Sequence, residues 1–321
     1  MAAVSRVVLP TQLSRFCGAM AGALLGDCIG GEFEGKEVVR MHDVIEAVRA
    51  LEEERQEEGS LIYSDDTAMT RCVAQSLISK TDFDEVDMAK RFAEEYNEQP
   101  DRGYGSGVIL VFKKLLRPNC KDVFKPAREQ FKGKGSYGNG GAMRIVPISL
   151  AYPDVQDVIK FAKKNAQVTH ASSLGYNGAI LQALAVHHAL RGELKEDLYL
   201  DHLIGEMQLI ENDEKSLSDA RDFHEFPYCI RLKKMKTFLS RTDVSKEEVI
   251  NELACCFAQN HGGKRYLQVE MLRDAFQTME SSSCVLPLLK SKGFQNRDPL
   301  LGNTHLLPEN RQFQRHPSLG E

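Results

Sequence analysis

Helical spacing runs through this chain almost without a break, and that limits its fold more than any other feature. Leu13, Phe16, Cys17, Met20 and Leu24 recur at three- and four-residue steps. Gly18, Ala19, Ala21, Gly22 and Ala23 fill the gaps with small side chains, which lets this helix approach others closely. Met41 to Leu51, Met69 to Ile78 and Val86 to Tyr96 repeat the pattern. So do 108–116, 155–166, 173–190, 198–210, 229–239 and 245–257. The last begins with a capping box in which Ser245 and Glu248 serve each other's backbone NH. Period-2 alternation is almost absent, so the spacing predicts an all-α fold. The 321 residues allow one large domain or two small ones.

Charge and cysteine usage exclude several classes of function. A net charge of −5, from 46 acids and 41 bases, argues against direct nucleic-acid binding. No apolar run reaches the ~18 residues that span a bilayer, which argues against a membrane partner. The eight cysteines lack C-x-x-C spacing and lie in apolar stretches, predicting buried free thiols in a reducing compartment. Arg6 and Arg15 precede the first acid, Asp27; the opening reads equally as a mitochondrial transit segment or an ordinary frayed terminus. From about Ser281 the chain is rich in Pro, Ser, Asn and Gln without periodicity, predicting disorder.

Four segments carry candidate chemistry. Ser64-Asp65-Asp66-Thr67 gathers carboxylates and hydroxyls at a helix entrance. These hard oxygens suit Mg²⁺ or Ca²⁺, while Ser and Asp are also ordinary helix caps. Gly133 to Gly141 places five glycines in nine residues around Lys134, Ser136, Tyr137 and Asn139. Its uncovered NH groups fit an anion cradle or a flexible surface loop. The preceding VFKPAREQFK is too polar for a buried strand, which excludes a Rossmann reading. His170, in Thr169-His170-Ala171-Ser172-Ser173, reads as a ligand contact or a satisfied core histidine. Glu32 and Glu34 lie in a glycine-flanked segment as solvated acids, or, for Glu34, a ligand or gate. His187 and His188 are adjacent in a helix, about 100° apart, so they do not chelate one metal together and read as packing and surface.

Taken together, GAMAGALLGDCIGGEFEG, YSDDTAM, DRGYGSGV, GKGSYGNGGAMR and THASSLGYNGAILQA resemble the ADP-ribosyl-acceptor hydrolase family. Within it, the members acting on ADP-ribosylserine and poly(ADP-ribose) are most similar. The resemblance implies a compact orthogonal helical domain, with ADP-ribosylated proteins and poly(ADP-ribose) as substrates and two Mg²⁺ ions in a central cleft. It implies Glu34, Ser64, Asp65 and Asp66 as metal ligands, with Glu34, Asp65 and Asp66 catalytic. Substrate contacts would come from Asp65, Phe131, Lys134, Gly135, Ser136, Tyr137, Gly138, Asn139, Gly140, His170 and Phe223. It also implies a monomer in nucleus and cytoplasm, with the mitochondrial matrix as a further destination, and a link to DNA repair.

The chain departs from the family's pattern beyond Leu253. The family completes its metal site with a G-G-D-T-D-T-type segment; here the later aspartates are Asp274 and Asp298, neither in that context. Ala254-Cys255-Cys256-Phe257 stands where a glycine-rich segment is expected. This predicts a disordered or targeting segment at 1–12, a truncated domain at 13–253 and a foreign tail at 254–321. It also predicts an incomplete second metal site, weakened turnover, and as alternatives an inactive ADP-ribose binder or an unstable splice product.

Overall fold

A computed structural model of the chain describes residues 5–31, 33–34, 40–52, 62–192, 196–221, 226–245 and 248. Among these there is no strand, as the missing period-2 pattern predicts. Twelve helices follow in order: α1 (Ser5–Gly30), α2 (Met41–Glu52), α3 (Asp65–Lys80), α4 (Glu85–Glu98), α5 (Ser106–Leu115), α6 (Lys125–Arg128), α7 (Val146–Ala151), α8 (Val155–Gln167), α9 (Ser173–Arg191), α10 (Glu196–Glu211), α11 (Glu214–Asp219) and α12 (Pro227–Leu239). α1 takes in residues 5–12, set apart above as a terminal segment. The tail at 254–321 lies outside the described residues.

The core explains the order. Met69, Val73, Met88, Phe92, Phe112, Ile148, Ala162, Ile180, Leu184, Leu203 and Met207 are fully buried in one cluster that joins α3, α4, α5, α7, α8, α9 and α10. Burying each such side chain is worth about 1.5–3 kcal/mol. α9 is buried on nearly every face from Ser173 to His187, as a helix apolar all round must be. It packs along α8 and also meets α7, α10 and α11. Its N-terminal end therefore has a fixed position, and the candidate site is assembled there.

α1 corrects one detail of the pattern. Leu13 is 63 % exposed and Cys17 is exposed, so the apolar repeat is not the buried face. The small residues pack instead: Ala19 sits with Val146 of α7 and Val186 of α9, and Ala21 with Leu25. Cys28 and Cys120 are half-buried, so of the described cysteines Cys72 and Cys229 fit the expectation of buried thiols. Cys255, Cys256 and Cys284 lie outside the described residues. α6, α7 and α11 have four to six residues, too short to show a period. The capping box is present: Ser245 NH donates to Glu248 at 3.0 Å and Glu248 NH to Ser245 Oγ at 3.1 Å.

Candidate functional site

The entrance of α3 is both a cap and a crowd of acids. Ser64 has extended backbone geometry and its Oγ accepts from the Asp66 NH at 3.2 Å, so the capping reading holds. The hydroxyl keeps lone-pair capacity beyond that bond. Asp27, on the last turn of α1, accepts from the Ser64 NH at 3.0 and 3.1 Å and from the Thr67 NH at 3.1 Å. Asp65 NH donates to the Arg102 carbonyl at 2.9 Å, tying the helix entrance to the DRGYG segment. Asp65 is buried. Its carboxyl is pushed up to about 7, first by burial, then by the charges of Glu34 and Asp27. Arg144 works in the other direction. Asp66 is half-buried and Glu34 is exposed on the turn after α1.

These residues suit a hard cation. Asp27, Glu34, Asp65 and Asp66 supply carboxylate oxygens, and like charges this close cost free energy that a divalent ion offsets. Thr67 Oγ1 is buried and finds no hydrogen-bond partner among the described residues, leaving one more hydroxyl oxygen at the same helix entrance. The donors are oxygens throughout, which fits Mg²⁺ and not a thiophilic metal.

The glycine-rich segment forms the other end. Gly133 and Gly135 have φ of +86° and +75°. Phe131 and Lys132, at φ +50° and +58°, enter the same left-handed region without being glycine, a local strain. Gly135 is locked in place: a Cβ there would stand 2.6 Å from the Ser172 nitrogen. Ser172 NH donates to the Ser136 carbonyl at 3.2 Å, which stitches the loop to the start of α9. Gly138 NH is turned to Ser136 Oγ at 3.2 Å. Phe131 is exposed beside Gly107; Lys134 and Asn139 are exposed; Ser136, Tyr137, Gly138 and Gly140 are half-buried.

His170 lies against this loop. A Cβ on Gly140 would meet its Cε1 at 2.7 Å and its Nε2 at 3.1 Å. Burial, helped by the charge of Arg144, holds the imidazole down to about 3, so it is neutral at any ordinary pH. Its tautomer follows from its neighbours. Arg144 Nη2 donates to Thr169 Oγ1 at 2.8 Å. The Thr169 proton then has two acceptors, His170 Nδ1 at 2.7 Å and the Ala166 carbonyl at 3.5 Å, and the shorter contact wins. Nδ1 accepts, which leaves the ring proton on Nε2, the nitrogen facing the glycines.

Arg144 is the residue that joins the two ends. It is 1 % exposed, held by Asn165 Oδ1 at 3.0 Å and the Asn165 carbonyl at 2.9 Å, and stacked 4.3 Å from the Phe92 ring. Burial pulls its guanidinium down to about 9, still charged at neutral pH. Its field acts on Asp65 and on His170 alike. Neither Arg144 nor Asp27 is among the residues singled out from the sequence. The available signal for each was a charge inside a small or apolar run, GAMRIVPISL and ALLGDCIGG. Phe223 and Glu32 lie outside the described residues.

The sequence model of the ADP-ribosylglycohydrolase family matches residues 9–276. The chain belongs to that family. The match reaches 23 residues past Leu253 (276 − 253), so part of the segment expected to be foreign falls inside it. Among similar proteins, ADP-ribosylhydrolase ARH3 of Gallus gallus is 59 % identical over 262 residues, covering 78 % of this chain and 71 % of the relative. The protein of the same name from Homo sapiens is 58 % identical over 249 residues, covering 75 % and 69 %. That of Danio rerio is 54 % identical over 258 residues, covering 79 % and 70 %. The structure brings Glu34, Ser64, Asp65 and Asp66 together at one end and Gly135–Gly140 with His170 at the other.

Proposed function

We propose that this protein is a Mg²⁺-dependent ADP-ribosylhydrolase that removes ADP-ribose from protein serine and cleaves poly(ADP-ribose). The observation that carries this reading is the pairing, about Arg144, of an oxygen-rich acidic end with an anion-accepting glycine loop. A diphosphate needs the second and a divalent ion needs the first. The names of the similar proteins supply the chemistry to which such a site would be put.

The roles follow from the groups. The NH groups of Gly135 and Gly138 are spent on the Gln130 carbonyl and Ser136 Oγ and shape the loop; those of Ser136, Asn139 and Gly140 would bind diphosphate oxygens, and His170 donates from Nε2 to the same region. The neutral imidazole orients without adding charge. Asp65, Asp66, Glu34 and the Ser64 hydroxyl would hold Mg²⁺, with Asp27 bracing the helix entrance that carries them. A bound Mg²⁺ supplies charge that polarises the leaving oxygen and lowers the pKa of a water. The bond broken is the glycosidic C1″–O; water's oxygen becomes attached to C1″ and a proton goes to the serine Oγ. The transition state has oxocarbenium character, as in glycoside hydrolysis.

The test is release of ADP-ribose from a serine-ADP-ribosylated peptide by the full chain with Mg²⁺. Asp65→Asn and Asp66→Asn should each remove it, and absence of turnover in the unmodified chain overturns the reading. A second reading, an ADP-ribose binder without turnover, is favoured by the lack of any Asp-x-Asp-Thr after Leu253. Calorimetry separates them: binding of ADP-ribose that ignores Mg²⁺, without turnover, supports the binder. We propose nucleus and cytoplasm as its compartments, with Arg6 and Arg15 suited to mitochondrial import; the distribution of a tagged chain tests that.

A further inference from the structure

A second group of ligating side chains lies at the far end of α9. The adjacent pair His187 and His188 does not chelate, as their angular separation requires, and His187 is buried. His188 instead faces α10. Its Nε2 stands 2.9 and 3.1 Å from the two carboxylate oxygens of Glu206. His202, four residues before Glu206 on α10, brings its Nε2 to 3.5 Å from Oε1. The His188 and His202 rings meet edge to face with centroids 4.6 Å apart. One ligand atom from each of the three residues lies within 4.8 Å of both others.

We propose that His188, His202 and Glu206 form a binding site for a transition-metal ion of the Zn²⁺ class, bridging α9 and α10. The donor set is two imidazole nitrogens and one carboxylate, which suits Zn²⁺ over Mg²⁺ or Ca²⁺. Tetrahedral zinc with bonds of about 2.0–2.1 Å separates its ligand atoms by about 3.3 Å. The observed contacts to Glu206, 2.9 to 3.5 Å, bracket that spacing before any ion draws them in. His202 and Glu206 need no rearrangement to share a face, because residues four apart are neighbours on a helix. Their partner arrives on a different helix, so an ion would clamp two core helices together. Side-chain exposure of 46 % at His202, against 11 % at His188, leaves the solvent side open for a water as fourth ligand.

The site is separate from the glycine-loop end described above, and it shares no residue with the acidic end. His188 lies fifteen residues after Ser173, about 22 Å along α9 at 1.5 Å per residue. The inference therefore does not rest on the proposed hydrolase activity.

The experiment is titration of the full chain with Co²⁺ and Zn²⁺ in the presence of saturating Mg²⁺. Unmodified protein and Asp65→Asn should each take up one equivalent that His202→Ala and Glu206→Gln do not. The Co²⁺ spectrum of that equivalent should show d–d bands without a thiolate charge-transfer band, which separates it from binding at cysteines. Zn²⁺ at a hundredfold excess over its Kd should raise the Tm of the unmodified chain by about 4–5 °C and leave the two variants unmoved. The metal-free variants should melt within a few degrees of the metal-free parent, because His202 is half exposed. Equal stoichiometry in parent and variants, or a thiolate band on the equivalent they lose, overturns the proposal.

Discussion

At the entrance of α3 the site is made by crowding side chains together, while at the glycine loop it is made by leaving them out. The first region draws Asp27 from α1, Glu34 from the following turn and Asp65 and Asp66 from α3, and it carries an unfavourable charge density. The second has no side chain at positions where any would collide with α9 or His170. A crowded acidic site is costly to hold empty and gains on loading. A glycine cradle carries no such charge cost; its close approach to Ser172 and His170 is made possible by the missing Cβ atoms. The two regions should therefore respond in opposite ways to substitution.

The largest effect is expected at Gly135. Gly135→Ala puts a Cβ 2.6 Å from the Ser172 nitrogen at φ +75°. Backbone cannot yield there as a flexible side chain would, so the loop should come away from α9. ADP-ribose affinity by calorimetry should fall about 100-fold or more, as expected when several charge-assisted hydrogen bonds are lost together. Gly133→Ala, at φ +86° with open space around it, should cost only backbone strain of about 1 kcal/mol. Equal losses at both positions would show that φ, not the packing on α9, decides the loop.

Asp65 should show the opposite sign. Metal-free Asp65→Asn should melt a few degrees above the metal-free parent while losing Mg²⁺ binding. The pH dependence follows. With its folded pKa raised to about 7 above an unfolded value near 4, Asp65 binds more protons folded than unfolded between those values. The Asp65 contribution to the stability of the metal-free parent should thus fall as pH rises from 5 to 7.5, while His170, held neutral by burial, contributes in the opposite direction up to its unfolded value near 6.5; saturating Mg²⁺ should reverse the Asp65 contribution. The difference in Tm between parent and Asp65→Asn across that range isolates this carboxyl from Glu211, whose burial raises it too.

A smaller effect tests the link between the two ends. Thr169→Val removes the hydroxyl through which Arg144 sets the His170 tautomer. ADP-ribose affinity should drop about tenfold, the size of one buried hydrogen bond left unmade. Mg²⁺ affinity should stay the same, and Thr169→Ser should restore the loss. The imidazole ¹⁵N shifts of His170 report the tautomer directly. The smallest effect is at Ser64, where Ala should cost about 1 kcal/mol of cap energy, or about 1.5–2 °C in Tm. A much larger loss confined to Mg²⁺-loaded protein would assign the hydroxyl to the metal.

Legibility followed sequence distance. Ser64 capping Asp66, the run of five glycines and Ser245 with Glu248 are local devices that lie within nine residues of sequence, and the spacing reveals them. Asp27 reaches Ser64 across 37 positions and Arg144 reaches Thr169 across 25. Nothing in the local pattern marks such partners, because tertiary packing brings them together. The same reason separates His188 from His202 and Glu206, which the helix pattern places on different segments. α1 misled in a simpler way: its larger apolar residues suggested a buried face, yet close approach of helices rewards small ones.

That last feature reaches further than packing. Ala19 is 2 % exposed between Val146 and Val186, eight residues or about 12 Å before Asp27 on one rigid rod. Adding two methyl groups there, as Ala19→Val does, must swing the rod, and its far tip is the carboxylate that grips the α3 entrance. A change that a substitution table grades as mild would be felt as damage to the reaction centre. In any catalogue of variants of this protein, Ala19 is better grouped with the acidic residues it aims than with the hydrophobic ones it resembles.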